Sequence, residues 1–150
     1  MKANKDRYWQ WLMDLATFVE PDRPHTRRSF SDKFLEGRAW LTREMEQLGL
    51  TVHVDAAGNL IGRMAGSQPH LGTLMTGSHS DSVPSGGRFD GMAGVIAGLE
   101  LVASWRERGF VPRHNIEVVD FLAEEPSEWG ISCVGSRGIT GFLPESLQNT

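Results

Sequence analysis

Cysteine is almost absent from this chain: Cys133 is the only one in 150 residues. One thiol cannot close an internal disulfide, so the sequence points to a fold held by its core and to a reducing, cytoplasmic setting. Long apolar runs are missing as well, and nothing approaches the roughly 18 continuous apolar residues of a membrane span. The opening Met-Lys-Ala-Asn-Lys-Asp-Arg runs into Tyr8, Trp9, Gln10 and Trp11, not into an apolar stretch with a small-residue cleavage site, so it does not read as a signal peptide. Basic charge is not in excess either: 15 Lys and Arg against 19 Asp and Glu leave a net charge of −4. That balance removes the electrostatic case for nucleic acid or an anionic membrane as partner. The polar connection through Arg28 has no repeat and no low-complexity character.

The remaining composition, 39% hydrophobic and 23% charged, is that of one ordinary globular domain. Tyr8, Trp11, Leu12, Leu15, Ala16 and Val19 share the spacing of one helical face, predicting a helix from Lys5 to Val19 that Pro21 and Pro24 stop. A second helix is expected from the N-cap residue Ser31, with Phe34, Leu41, Met45 and Leu48 inward and Gly49 ending it. Leu50, Val52 and Val54 alternate as in a half-buried strand. Ala56 to Asn59 supply a turn, and Leu60 to Met64 form the return strand. Leu71 to Thr76 reads as a strand, Met92 to Arg108 as a long buried helix, and Asn115 to Leu122 as a strand covered on both faces. Strand, loop, helix, strand is a β-α-β crossover, and it sets His79 and the pair Glu124 and Glu125 just past the carboxyl ends of neighbouring strands, where open α/β sheets place ligands.

The stretch from Thr76 to Gly94 holds His79, Asp81 and Asp90 around a glycine-rich loop. Imidazole and carboxylate together suit zinc, manganese or cobalt better than calcium or magnesium. Asp81 stands where it can accept from the histidine nitrogen that does not bind metal, or stabilise the turn. Asp90 can bind metal, cap the following helix, or do both. Two adjacent carboxylates at the end of an apolar strand are costly without a neutralising cation, so Glu125 is expected to bind the ion while Glu124 serves as general base. The alternative for the pair is a solvated acidic loop.

Other chemistries lack their parts. Gly86-Gly87 is not followed by Gly-Lys-Ser/Thr, which excludes a P-loop. No Gly-x-Ser-x-Gly elbow exists for a serine hydrolase, including around Ser132. Cys133 lacks a base partner and reads as a buried small hydrophobe.

Gly77-Ser78-His79-Ser80-Asp81-Ser82-Val83, Gly86-Gly87-Arg88-Phe89-Asp90-Gly91, Glu124-Glu125-Pro126-Ser127, Gly135-Ser136-Arg137-Gly138 and Asp55-Ala56-Ala57-Gly58-Asn59-Leu60 together resemble the N-terminal part of M20-superfamily di-metal amidohydrolases. The resemblance is to the branch of N-carbamoyl-L-amino-acid hydrolases, β-ureidopropionases and allantoate amidohydrolases. It implies an α/β fold, the N-terminal part of a zinc-peptidase-like catalytic domain with a mostly parallel sheet flanked by helices. Residues 1–150 would then be a partial catalytic domain without the inserted lid and dimerisation domain that makes full-length relatives homodimers. The resemblance also implies two divalent ions, with His79 on one, Asp90 bridging, Glu125 on the other, Asp81 orienting His79 and Glu124 as base. Each ion takes a further histidine in the family, and His25, His53, His70 and His114 do not supply it. The implied reaction hydrolyses an N-carbamoyl or ureido small molecule to an amino acid, carbon dioxide and ammonia. Allantoate hydrolysis, peptidase activity, and a catalytically silent fragment acting through protein association are the alternatives.

Overall fold

The computed structural model describes residues 2–128 and 130–144. Helix α1 spans Lys5–Leu15, α2 Asp32–Gln47, α3 Met92–Glu107 and α4 Val134–Thr140; strands are β1 Thr51–Val54, β2 Leu60–Met64, β3 Thr73–His79 and β4 Asn115–Phe121. The strands form one sheet in the order β1-β2-β4-β3.

Local chemistry sets these boundaries. Asn4 caps α1 through its side chain, which accepts from Asp6 and Arg7 N–H. The helix ends at Leu15, a turn before the expected Val19, because the Arg27 guanidinium takes the Leu15 carbonyl at 2.7 Å and the Phe18 carbonyl at 3.0 Å. Those side-chain bonds satisfy backbone acceptors that a longer helix would have engaged itself. Ser31 caps α2 as expected, its Oγ accepting from Phe34 N–H at 3.2 Å, and Gly49 follows with φ 72°. Pro69 opens a short 3-10 turn, Pro69–Leu71, which captures Leu71 and delays β3 to Thr73.

Both long helices cover the same face of the sheet. Gly62, Val118 and Thr76 lie side by side across β2, β4 and β3. A Cβ on Gly62 would meet Met45 of α2 at 2.8 Å, and one on Gly98 of α3 would meet Val118 at 2.7 Å. Leu41 and Met45 of α2, Val95, Ile96, Leu99 and Val102 of α3, and Leu60, Met64, Ile116 and Val118 of the sheet merge there with Leu12 and Leu15 of α1 into one core. Each such side chain contributes about 1.5–3 kcal/mol on full burial.

The α/β class holds, while the sheet is mixed where a mostly parallel one was expected. Only β3 and β4 run parallel; β1–β2 and β2–β4 are antiparallel. The hairpin of β1 and β2 needs only a tight turn, and it docks its return strand against β4 in the opposite sense. Strand β4, at the centre, is covered on both faces, as its apolar run predicts. Val54, on the outer strand, is exposed and does not complete the expected alternation. On the other side β3 is an edge strand, with Leu74 56% and Met75 45% exposed.

Candidate metal centre

The parallel β3–β4 pair brings two carboxyl ends to one rim, with His79 opposite Phe121. His79 is the last residue of β3, Asp90 lies in the glycine-rich loop just before α3, and Glu125 follows β4. Ligand atoms of these three side chains all lie within 4.8 Å of one another. Asp90 does not cap α3: Gly91 holds the cap position without a side-chain bond, which leaves the Asp90 carboxylate to the cluster.

The glycine next to Asp90 is required by the histidine. Gly91 has φ 65° and ψ −55°, and a Cβ there would overlap the ring and carbonyl of His79. Helix α1 steadies the loop from outside. Phe89 packs against Trp9 with ring centroids 5.7 Å apart and the planes tilted by 44°, and the Tyr8 hydroxyl donates to the Ala93 carbonyl at 3.1 Å.

Asp81 is the latch of the rim. Its Oδ1 lies 3.3 Å from His79 Nδ1 and accepts from Glu124 N–H at 3.3 Å; its Oδ2 accepts from Ser29 Oγ at 2.9 Å and Glu125 N–H at 3.1 Å. With Nδ1 against Asp81, the ring turns Nε2 toward Glu125, 3.9 Å from Oε1. An imidazole oriented by a carboxylate behind it is the usual second layer of a metal-binding histidine.

The charges at this rim are strongly coupled. Burial alone would lower the His79 pKa, but hydrogen bonding and charge from Asp81, with a contribution from Glu125, raise it to about 9. Burial also works against the Asp81 carboxylate, yet His79, the Glu125 N–H and Ser29 hold it below the usual carboxylate range. Glu125 is pushed up, first by burial and then by the nearby Asp90 carboxylate, with His79 opposing. Two carboxylates crowded beside one imidazole favour a cation among them.

Glu124 is not part of that cluster. Its Oε1 accepts from Ser136 N–H at 2.8 Å and its Oε2 from Ser136 Oγ at 2.9 Å, so the carboxylate faces the start of α4. Cys133, expected to be buried, is a half-buried free thiol, because it stands at the start of α4 and not within the core. His70 and His114 sit before β3 and β4, at the opposite end of the strands from the rim.

Sequence reading missed the supports beneath the rim. The buried Arg27 donates from Nε to the Ser80 carbonyl at 2.7 Å, between His79 and Asp81. Ser80 Oγ donates to Asp120 Oδ2 at 2.9 Å, and Arg38 of α2 reaches the same oxygen at 3.0 Å. Burial raises the Asp120 pKa against the opposing pull of Arg38 and Ser80, and its Oδ1 has no hydrogen-bond partner among the described residues. An open cleft of about 410 Å³ adjoins the rim, bounded in part by Arg23, Arg28, Ser29, Asp81, Glu125 and Glu128.

The model of Peptidase family M28 matches residues 59–148. This chain belongs to peptidase family M28. It is 42% identical over 151 residues to an Oryza sativa subsp. japonica ureidoglycolate hydrolase, covering 99% of this chain and 31% of the relative. It is 43% identical to the Geobacillus stearothermophilus N-carbamoyl-L-amino acid amidohydrolase, covering 95% of this chain and 36% of the relative. A hydantoinase/carbamoylase family amidase from Burkholderia ambifaria superposes with a TM-score of 0.91 at 35% identity, covering 97% of this chain and 36% of that one. The amidohydrolase branch expected from the motifs is thus the one that these relatives represent, although the matching family model is described as M28. The chain spans about a third of the length of the relatives it matches.

Proposed function

We propose that this M28 chain carries part of the active site of a metal-dependent amidohydrolase that cleaves linear N-carbamoyl or ureido C–N bonds. The observation that carries the reading is the convergence of His79, Asp90 and Glu125 at the shared rim of β3 and β4. The names of the similar proteins supply the substrate class.

The donor set fits a divalent cation: one imidazole nitrogen and two carboxylates, with Asp81 fixing the imidazole from behind. His79 would hold one ion, Glu125 a second, and Asp90 both, with zinc, manganese or cobalt suited to that mixture. Ions bound there supply Lewis acidity for the carbonyl oxygen and lower the pKa of water, which an unreactive urea-like amide needs. Glu124 would be the general base that the family resemblance implies: it adjoins Glu125 in sequence, and although Ser136 occupies one acceptor position on each of its oxygens, the free positions can take a proton from the attacking water and pass it to the departing nitrogen. Overall, one water and one ureido acid give an amino acid, carbon dioxide and ammonia. The single cysteine supports a cytoplasmic setting, and the family resemblance supports homodimers of the longer relatives' kind.

Ammonia release from N-carbamoyl amino acids, ureidoglycolate and allantoate, with added zinc, manganese or cobalt, tests the reading. Glu124→Gln should lower turnover about 100-fold or more while metal content is kept. Turnover that survives this change removes Glu124 as base, and calorimetry showing no ion uptake by folded protein removes the site. A second reading rests on the exposed edge strand β3: a silent segment that adds to another polypeptide through its open backbone edge. Concentration-dependent association without metal-dependent turnover favours that one.

A further inference from the structure

The short segment between Cys133 and Ser136 is fastened to the end of β4 more firmly than a surface loop requires. Cys133 N–H donates to the Glu124 carbonyl at 3.0 Å, Val134 N–H to the Ala123 carbonyl at 3.1 Å and Gly135 N–H to the Leu122 carbonyl at 2.7 Å. Asn59 then ties both strands of this arrangement to the β1–β2 turn. Its Nδ2 donates to the Gly135 carbonyl at 3.1 Å, and its Oδ1 accepts from Leu122 N–H at 3.0 Å. Gly135 has no room for a side chain, because a Cβ would overlap Asn59 Oδ1 and Leu122 N. Ser136 is therefore a fixed point.

From that fixed point Ser136 grips both oxygens of Glu124, the backbone N–H on Oε1 at 2.8 Å and the hydroxyl on Oε2 at 2.9 Å. A glutamate has three side-chain torsions to fix, and two bonds to two different oxygens fix the carboxylate plane as well as its position. An ionised carboxylate has about four acceptor positions, so each oxygen keeps a free one after Ser136 has taken its share. We infer that Ser136 is a positioning residue for Glu124, holding the carboxylate by a two-point grip so that its remaining lone pairs keep one direction. The inference rests on the amidohydrolase reading for what Glu124 does, and on geometry alone for the grip. A residue serving only to cap α4 would act through helix stability, whereas a grip acts through the order of the Glu124 side chain.

The test compares Ser136→Ala, which loses the hydroxyl and keeps the N–H, with Ser136→Thr, which keeps both. Carbon-13 relaxation at the Glu124 side chain reads the grip without any ion or substrate. It should show an ordered carboxylate in wild type and Ser136→Thr and a mobile one in Ser136→Ala. Steady-state ammonia release should show kcat down about 10-fold or more in Ser136→Ala with KM changed less than twofold, and recovery to within about threefold in Ser136→Thr. If the alanine chain does not fold by circular dichroism, Ser136→Cys, a weaker donor of similar size, takes its place in both measurements. An equally ordered Glu124 in the variant lacking the hydroxyl, or an unchanged kcat in a preparation whose wild type turns over, overturns the inference. A wild type with neither turnover nor ion uptake at the rim, in which the alanine variant still frees Glu124, leaves the grip standing and removes the amidohydrolase reading instead.

Discussion

Replacing Asp81 by asparagine keeps the shape of the latch and removes its charge, and the consequences can be worked out from its four contacts. In the wild type, Oδ1 faces His79 Nδ1 and Glu124 N–H while Oδ2 faces Ser29 Oγ and Glu125 N–H, so every neighbour presents a donor. An amide must put its NH2 against one of these pairs. Either orientation leaves one backbone N–H opposed to another donor, at a cost of about 2 kcal/mol. The larger effect is on His79. Its rise from an ordinary value near 6.5 to about 9 corresponds to roughly 3 kcal/mol of preference for the charged ring. Burial opposes that rise and the Asp81 carboxylate is its principal source, so Asp81→Asn should lower the His79 midpoint in metal-free protein well below 9, with the Asp81 backbone carbonyl, 3.0 Å from Nδ1, and the Glu125 charge still favouring the charged ring. A raised histidine pKa contributes stability that is full below about pH 6.5 and is lost as pH climbs through about 9. The variant should consequently be much less stable than wild type at pH 6 and only modestly so above pH 9. Histidine ring NMR against pH measures the midpoint, and urea unfolding at both pH values measures the penalty. An unchanged midpoint, or a penalty independent of pH, refutes the reasoning.

Gly91→Ala should displace the His79 ring and add about 1–3 kcal/mol of backbone strain at φ 65°, read as weaker zinc uptake by calorimetry together with a lower urea midpoint. Arg27→Leu removes a donor from three carbonyls, those of Leu15, Phe18 and Ser80, and takes away one of the buried cations that face Asp120 and Asp81, leaving Arg38 and His79 to them. Denaturant unfolding with an unchanged m-value should show a loss of about 3–5 kcal/mol. Glu100 is buried and accepts from Asn4 N–H, Arg7 and Ser104; these offset the cost of burial and hold its pKa below the usual range. A depressed carboxyl pKa contributes stability above the unfolded value near 4.3 that vanishes as pH falls through the folded one. Glu100→Gln should therefore cost about 2 kcal/mol near neutrality, and unfolding curves of the two proteins should converge in acid.

The donors of the rim were legible because each stands at a boundary that the sequence also announces. His79 closes an apolar strand, Asp90 ends a glycine-rich loop, and Glu125 follows the apolar run of β4. What holds those donors was not. Ser29 and Asp81 are 52 positions apart, Arg27 and Ser80 are 53, and Arg38 and Asp120 are 82, and no local pattern encodes such meetings. The same limit explains the shortened α1, whose end depends on a guanidinium from another segment, and the mixed sheet, whose strand directions depend on where a hairpin docks. Ser136 was visible within a motif, but its grip on Glu124 appears only once the backbone of 133–135 is seen bound to 122–124.

The latch has a consequence for how the molecule assembles. Asp81 and Glu125 stand 44 positions apart, and they meet only after β3 has come alongside β4 with α3 closing the path between them. A chain with its helices wound and its strands still separate offers an incoming ion one histidine here and a carboxylate there, never the trio. Any ion taken up at the rim would accordingly discriminate the finished fold from everything before it, adding about 2.7 kcal/mol when present at 100 times its dissociation constant. Mineral supply would then set how much of the polypeptide keeps its folded shape.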